Sequence, residues 1–185
     1  IKERFQIPVA IGNDANLAAL GEWKYGAGRG YHDVLFLTIS TGIGGGVIIH
    51  DKLLTGVRGL AGELGHVVID PNGPLCGCGR NGHIESFASG PAIATWVKSQ
   101  IKKGEKTSLL ELDEITAVDI SKAALSGDNL AKKALVRAAD YLGISIANFL
   151  HIFNPAILIL GGGVSRSGQI FSDALMQSIN RNTIS

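Results

Sequence analysis

The sequence predicts an α/β fold, and three observations carry that expectation. Near-continuous apolar runs at residues 34–39 and 156–160 have the length and composition of buried strands. Between and after them lie stretches whose apolar residues recur at helical spacing, the longest over 128–153. Glycine clusters at 42–46 and 161–163 border the strands. Strands alternating with helices are the pattern of α/β layers. No internal repeat and no linker divides the 185 residues, which suffice for one sizeable domain or a lobe of a larger protein.

In chain order, residues 1–4 read as the end of a helix and residues 7–11, Ile-Pro-Val-Ala-Ile, as a first strand. Gly12-Asn13-Asp14 then leads into a helix over 15–25, with Leu17, Leu20 and Trp23 at helical spacing. The strand at 34–39 is followed by a glycine-rich turn over 40–46, a strand at 47–49 and a tight turn at Asp51-Lys52. A short strand at 67–69 ends in Asp70-Pro71-Asn72-Gly73-Pro74, which is turn chemistry throughout. From Gly90 the chain turns helical, over 91–102 with Pro91 at an early position, over 116–125 and over 128–153. Asn154-Pro155 stops the last of these, and the strand at 156–160 precedes Gly161, Gly162 and Gly163 and a helix from about Gly168. The chain opens inside an element without an initiating Met, so it reads as a piece of a longer polypeptide.

Composition removes several classes of function. The 17 basic and 16 acidic residues leave a net charge of +1, dispersed along the chain, without the basic stripe that nucleic-acid binding needs. The longest basic cluster, 98–106, is broken by Gly104 and Glu105 and reads as a solvated helix end and loop. No apolar run approaches the ~18 residues that span a membrane, and no basic segment followed by an apolar one opens the chain. Two cysteines separated by one residue make no secreted disulfide framework. The expectation is a cytoplasmic chain with neither a membrane nor a nucleic acid as partner of this segment.

Four groups of residues carry candidate chemistry. His66, Cys76, Cys78 and His83 supply two imidazoles and two thiolates, a normal tetrahedral set for structural zinc. Gly77, Gly79 and Gly82 allow the tight turns that bring a Cys-x-Cys pair to one ion. A Cys76–Cys78 disulfide would close a very small ring of poor geometry and leave the histidines unexplained. Two buried thiols beside two ordinary histidines is the remaining reading. Asn13-Asp14 stands where a strand is expected to end and a helix to begin, a position that suits a ligand site and a helix N-cap alike. Thr41-Gly42-Ile43-Gly44-Gly45-Gly46 suits a phosphate-cradling loop and a bulged hairpin equally, and no Gly-Lys-Ser/Thr follows it as in a P-loop. Gly161 to Gly163 offers the same pair of readings, nucleotide approach or tight connection. Glu63 and Glu85 flank the metal-ligand candidates, and carboxylates so tethered accept hydrogen bonds from sugar hydroxyls well; taken singly, each reads as a surface charge.

Taken together, Asn13-Asp14, the 40–47 turn, Glu63-x-Gly-His66, the Cys-Gly-Cys-Gly-x-x-Gly-x-x-Glu run and Leu160-Gly-Gly-Gly resemble the ROK family of bacterial sugar kinases and sugar-sensing repressors. The resemblance implies an actin/hexokinase-like, ribonuclease H-like ATPase lobe, incomplete at both ends and carrying an inserted zinc loop. Residues 1–185 would be most of the C-terminal lobe. It implies Asp14 as general base, Asn13, Glu63, His66 and Glu85 on the sugar, and Thr41, Gly42 and Gly161 to Gly163 on ATP with Mg²⁺. His66 would serve zinc and sugar at once, and homo-oligomers, dimers or tetramers, are expected. Two departures stand out: His83 replaces a cysteine, and the N-terminal Asp-x-Gly-Gly-Thr phosphate loop lies outside this sequence. With Asp14 and both phosphate-side loops present, the resemblance implies first a hexose kinase of the glucokinase or N-acetylhexosamine type and, as the alternative, a sugar-sensing repressor, since repressors can keep the zinc run; the segment by itself is expected to be inactive.

Overall fold

The structure, a computed structural model, describes residues 2–184. Its centre is a four-stranded sheet of β1 (Val34–Ile39), β2 (Ile43–Ile49), β3 (Lys52–Leu53) and β4 (Ile157–Gly161) in the order β3-β2-β1-β4. β2 pairs antiparallel with β1 and β3, and β4 pairs parallel with β1, with Leu35 opposite Val47 on one side and Leu158 on the other. β1 reads as an unbroken apolar run because both of its faces are covered. Val34 and Phe36 point to one helix, α2 (Asp14–Tyr25), in a small cluster with Ala19, Trp23, Ile48 and Ile159. Leu35, Leu37 and Ile39 point the other way, into the main core.

That core is built by α3 (Glu85–Ala88), α4 (Gly90–Lys102), α5 (Ala117–Leu125), α6 (Asn129–Phe153) and α7 (Gln169–Asn182). α6 is its spine. Asp128 caps its N-terminus by accepting from Ala131 N at 2.9 Å, and Leu135, Ala138, Leu142, Ile146 and Phe149 form its buried stripe. It ends where Asn154 takes a left-handed conformation (φ 42°) ahead of Pro155. The remaining helix, α1 (Lys2–Phe5), is one exposed turn, and the expected residue Ile1 of that helix lies outside the described residues.

Four expectations from the sequence are corrected here. Residues 7–11 form no strand and are exposed, because among the described residues no neighbouring strand supplies their backbone hydrogen bonds. The strand at 67–69 reduces to one bridge, Val68 with His83, and a second bridge, Leu75 with Asn81, clips the loop between them. The glycine-rich turn is shorter than its composition suggests. Only 40–42 turn, and β2 already begins at Ile43, so Gly44, Gly45 and Gly46 are strand residues. They are glycine for packing: a Cβ on Gly44 would lie 2.8 Å from Ala15 Cβ, and one on Gly45 2.7 Å from Leu64 Cδ1. A Cβ on Gly46 would collide with Ala19 Cβ. α2 thus lies on β2 through a seam of Ala15 and Ala19 against Gly44 and Gly46. Likewise the Asp51-Lys52 turn sits one residue earlier, on His50 and Asp51 with φ of 50° and 64°, and Lys52 starts β3.

Candidate functional site

The seam brings the first residues of α2 down to the end of β1, where one cleft of about 450 Å³ gathers most of the residues singled out in the sequence. Asn13, Asp14, Thr41, Gly42, Glu63, His66 and Glu85 all line it, together with Ser40 and Gly62. Asn13 caps α2 through Oδ1, which accepts from Asn16 N at 3.0 Å, while its Nδ2 donates to Glu63 Oε1 at 3.5 Å. The cap and the site are therefore one arrangement: capping fixes the amide that orients Glu63. Asp14 is exposed, the first helical residue, with Oδ1 accepting from Ala15 N at 2.8 Å. A carboxylate there faces the positive end of the helix dipole.

Glu85 ties two segments together. Its Oε2 accepts from Ile43 N at 3.0 Å, and its Oε1 accepts from the Cys76 thiol at 3.3 Å. Gly42 is what allows this, since a Cβ on it would lie 2.7 Å from Glu85 Oε2. The turn is anchored a second time by Ser40 O, which accepts from Gly90 N at the start of α4 at 2.8 Å.

His66, Cys76, Cys78 and His83 converge, with their ligand atoms all within 4.8 Å of one another. His66 Nδ1 is 3.8 Å from Cys76 Sγ, and His83 Nδ1 is 3.2 Å from Cys78 Sγ. The loop is held for this by Cys76 N donating to Arg80 O at 2.8 Å and by Gly82, whose φ of 75° lets it pass against the Asp70 carbonyl. The donor set fits a soft divalent cation. Burial, with Glu85 beside it, pushes the Cys76 thiol up to about 11, so a bound cation is what would draw the thiolate out of it. Burial, with His66 and Arg80 close by, lowers the pKa of His83 and keeps its imidazole neutral, the form that ligates.

A second cleft of about 660 Å³ opens on the other side of the 40–42 turn, lined by Ser40, Thr41, the start of α4, α5 and Gly163 with Val164 and Ser167. It is the more apolar of the two. Of the three late glycines, only Gly163 lines it. Gly161 closes β4, and Gly162, at φ 88°, lies so close to the Ile39 backbone that a Cβ would collide with it. Pro91, Thr95, Thr116 and Ser121 also line this cleft and were not legible as site residues, being ordinary helix and cap positions until the fold assembles them.

A mixed α/β lobe with a ligand cleft at the ends of β1 and α2 is the actin/hexokinase-like arrangement. The chain belongs to the ROK family, whose model matches residues 1–185. It is 43% identical over 175 residues to the glucokinase of Thermotoga maritima, covering 92% of this chain and 55% of that protein. It is 36% identical to the xylose repressor of Caldicellulosiruptor bescii, covering 99% of this chain and 47% of that one. Among solved structures it is similar to a ROK family glucokinase from Streptomyces griseus, in complex with glucose and AMPPNP. That match has a TM-score of 0.87 and 38% identity, and covers 100% of this chain and 61% of the other. The chain spans about half the length of the curated relatives it matches. Among the described residues no helix is long and apolar enough to cross a membrane.

Proposed function

We propose that the full-length protein to which this chain belongs transfers the γ-phosphoryl group of ATP to a hydroxyl of a hexose, of the glucose or N-acetylhexosamine type. The observation that carries this reading is the common wall of the two clefts: Ser40 and Thr41 line both, with a polar cleft holding Asp14 on one side and an apolar one on the other. A sugar in the first cleft and a nucleotide in the second meet at that wall. The glucose and AMPPNP bound by the similar Streptomyces griseus protein support the pairing.

In this reading Asn13, Glu63, His66 and Glu85 accept and donate hydrogen bonds to sugar hydroxyls and orient one of them towards Asp14. The Asp14 carboxylate takes that hydroxyl's proton as its oxygen bonds to the γ-phosphorus and the bond from phosphorus to the β,γ-bridging oxygen breaks, leaving ADP. A general base so placed contributes typically ~10² to 10⁴ in rate. Thr41 and Gly42 face the transferring group, and Gly163 the nucleotide. Mg²⁺ bound with ATP would supply charge neutralisation on the phosphates. Zinc on His66, Cys76, Cys78 and His83 would be structural, holding the loop that aims Glu63 and Glu85.

The test is ATP consumption by the full-length protein against a panel of hexoses, with Asp14→Asn beside the parent. Turnover on at least one hexose, lowered about 10²-fold or more by Asp14→Asn, supports the reading. A sugar-dependent rate that Asp14→Asn leaves unchanged overturns it. The likeness to a xylose repressor favours a second reading, a sugar-responsive repressor using the same cleft for its effector. No turnover with any sugar, together with sequence-specific DNA binding that sugar releases, would select it.

A further inference from the structure

Outside the two clefts so far described lies a third, of about 480 Å³, between the Cys-x-Cys loop and α4. Its volume is within the ~300–1,000 Å³ of small-molecule sites. At its base is Arg137 of α6, half-buried, with its guanidinium 4.9 Å from the ring centre of Tyr141 and 5.4 Å from those of Phe87 and Trp96. Arginine taken out of water normally has a carboxylate partner. Among the described residues none lies within ion-pair distance of Arg137. The three rings offset part of its desolvation through their negative faces, and Tyr141 also offers it a side-chain hydrogen bond, yet no carboxylate among the described residues engages the in-plane N–H fork. That fork matches the geometry of a phosphate or carboxylate.

The rest of the lining adds a second chemistry. Trp96 lines the cleft beside Thr95, whose hydroxyl lies on the same wall of α4, and Ser99, whose hydroxyl already donates to Trp96 O at 2.6 Å and accepts from Gln100 Nε2 at 3.1 Å. An indole face bordered by hydroxyls is suited to a pyranose, which presents C–H groups on one side and hydroxyls at its rim. The cleft shares Thr41 and Glu85 with the sugar cleft and Thr41, Pro91 and Thr95 with the second, so its occupant sits against the walls of both.

We propose that this third cleft binds a sugar phosphate, the phosphate on Arg137 and the ring against Trp96. The assignment stands whether the parent protein is a kinase or a repressor, because it uses neither Asp14 nor Glu63. Bound there, the ligand bears on Thr41 and Glu85 and so couples sugar phosphate concentration to occupancy of the neighbouring cleft.

The experiment is fluorine NMR of the full-length protein carrying fluorotryptophan, with the Trp96 resonance identified by its loss in Trp96→Phe. Glucose 6-phosphate is expected to shift that resonance saturably, and glucose or inorganic phosphate alone to do so at least ~10-fold more weakly, since each engages one half of the site. Arg137→Gln is expected to weaken the response roughly 10- to 100-fold by removing a charge-assisted fork. Ala92→Phe, which fills the cleft and leaves the charge in place, abolishes it and covers the case in which Arg137→Gln fails to fold. In Asp14→Asn and Glu63→Gln the Trp96 titration persists, which separates this site from the proposed phosphoryl transfer. No saturable shift with glucose 6-phosphate, an equal shift with phosphate alone, or a shift lost in Glu63→Gln and kept in Ala92→Phe would each overturn the proposal.

Discussion

Substituting Gly44 by Ala tests whether the glycines of β2 exist for the approach of α2. Gly44 has an ordinary negative φ, so alanine meets no backbone strain there. The added Cβ would lie 2.8 Å from Ala15 Cβ and 3.3 Å from Thr38 Cγ2, against the ~3.5–4.0 Å at which carbon atoms rest. The first turn of α2 must therefore move away by up to about 1 Å, at an overpacking cost of ~1–3 kcal/mol. Ala15 directly follows Asp14, so the same displacement reaches the proposed base, where a shift of about 1 Å can cost ~10² in rate. The full-length Gly44→Ala protein is expected to unfold at lower urea and to lose kcat by about that factor. Ala15→Gly, which removes the opposing methyl at a helix cost of about 1 kcal/mol, is expected to restore much of the rate in the double variant. The two changes should couple by ~0.5–3 kcal/mol in a double-mutant cycle. Additive effects in the cycle, or a Gly44→Ala protein with the parent's stability and rate, would refute the packing account.

Two further outcomes follow from the structure. Asp128 caps α6 and also accepts from Ser108 N at 2.7 Å, Thr107 Oγ1 at 2.8 Å and Ser108 Oγ at 2.9 Å. Burial would raise its pKa, but these bonds win and take it from the ordinary 3.8 to about 2. A depressed carboxylate stabilises fully above its unfolded pKa and loses that contribution as pH falls through the folded one. Asp128→Asn should therefore differ from the parent most above about pH 4 and least near pH 2, and Asp128→Ala should cost ~1 kcal/mol or more at neutral pH. A pH-independent difference in urea midpoints would contradict the hydrogen-bond account. For the Cys/His cluster, metal analysis of the full-length protein is expected to find about one zinc per chain. His83→Ala should lower that content and His83→Cys keep it, and full retention of zinc in His83→Ala would remove His83 from the ligand set.

The helices were legible in the sequence because their signals are local. Asp128 before α6, Pro91 at the start of α4 and Asn154-Pro155 at the end of α6 act within a turn or two of chain. The Cys/His cluster and the residues Asn13, Asp14, Glu63, His66 and Glu85 were legible because chemistry and spacing agreed: the four ligand candidates converge, and the other group, which shares His66 with them, lines one cleft. What failed depends on partners distant in sequence. Residues 7–11 have strand composition, yet a strand exists only where another supplies its hydrogen bonds. Gly44 to Gly46 look like turn glycines until α2 and Leu64 are set against them. Gly162, a nucleotide-side candidate in the sequence, has a packing reason to be glycine that shows only once the Ile39 backbone lies against it. The third cleft had no signal at all, since Arg137 is an unremarked helix residue until Trp96 and Tyr141 fold around it.

Thr41 borders all three clefts. A side chain shared by three compartments cannot be tuned for one of them alone, so any replacement at 41 is felt by every occupant. Divergence of preference within such a lobe is therefore confined to the outer walls. Under the proposed assignments, the Asn13–Glu63 side can drift with the sugar, α5 with the nucleotide, and the α4–α6 face with the ligand of Arg137. The central turn stays fixed as the hub that ties those three preferences to one another.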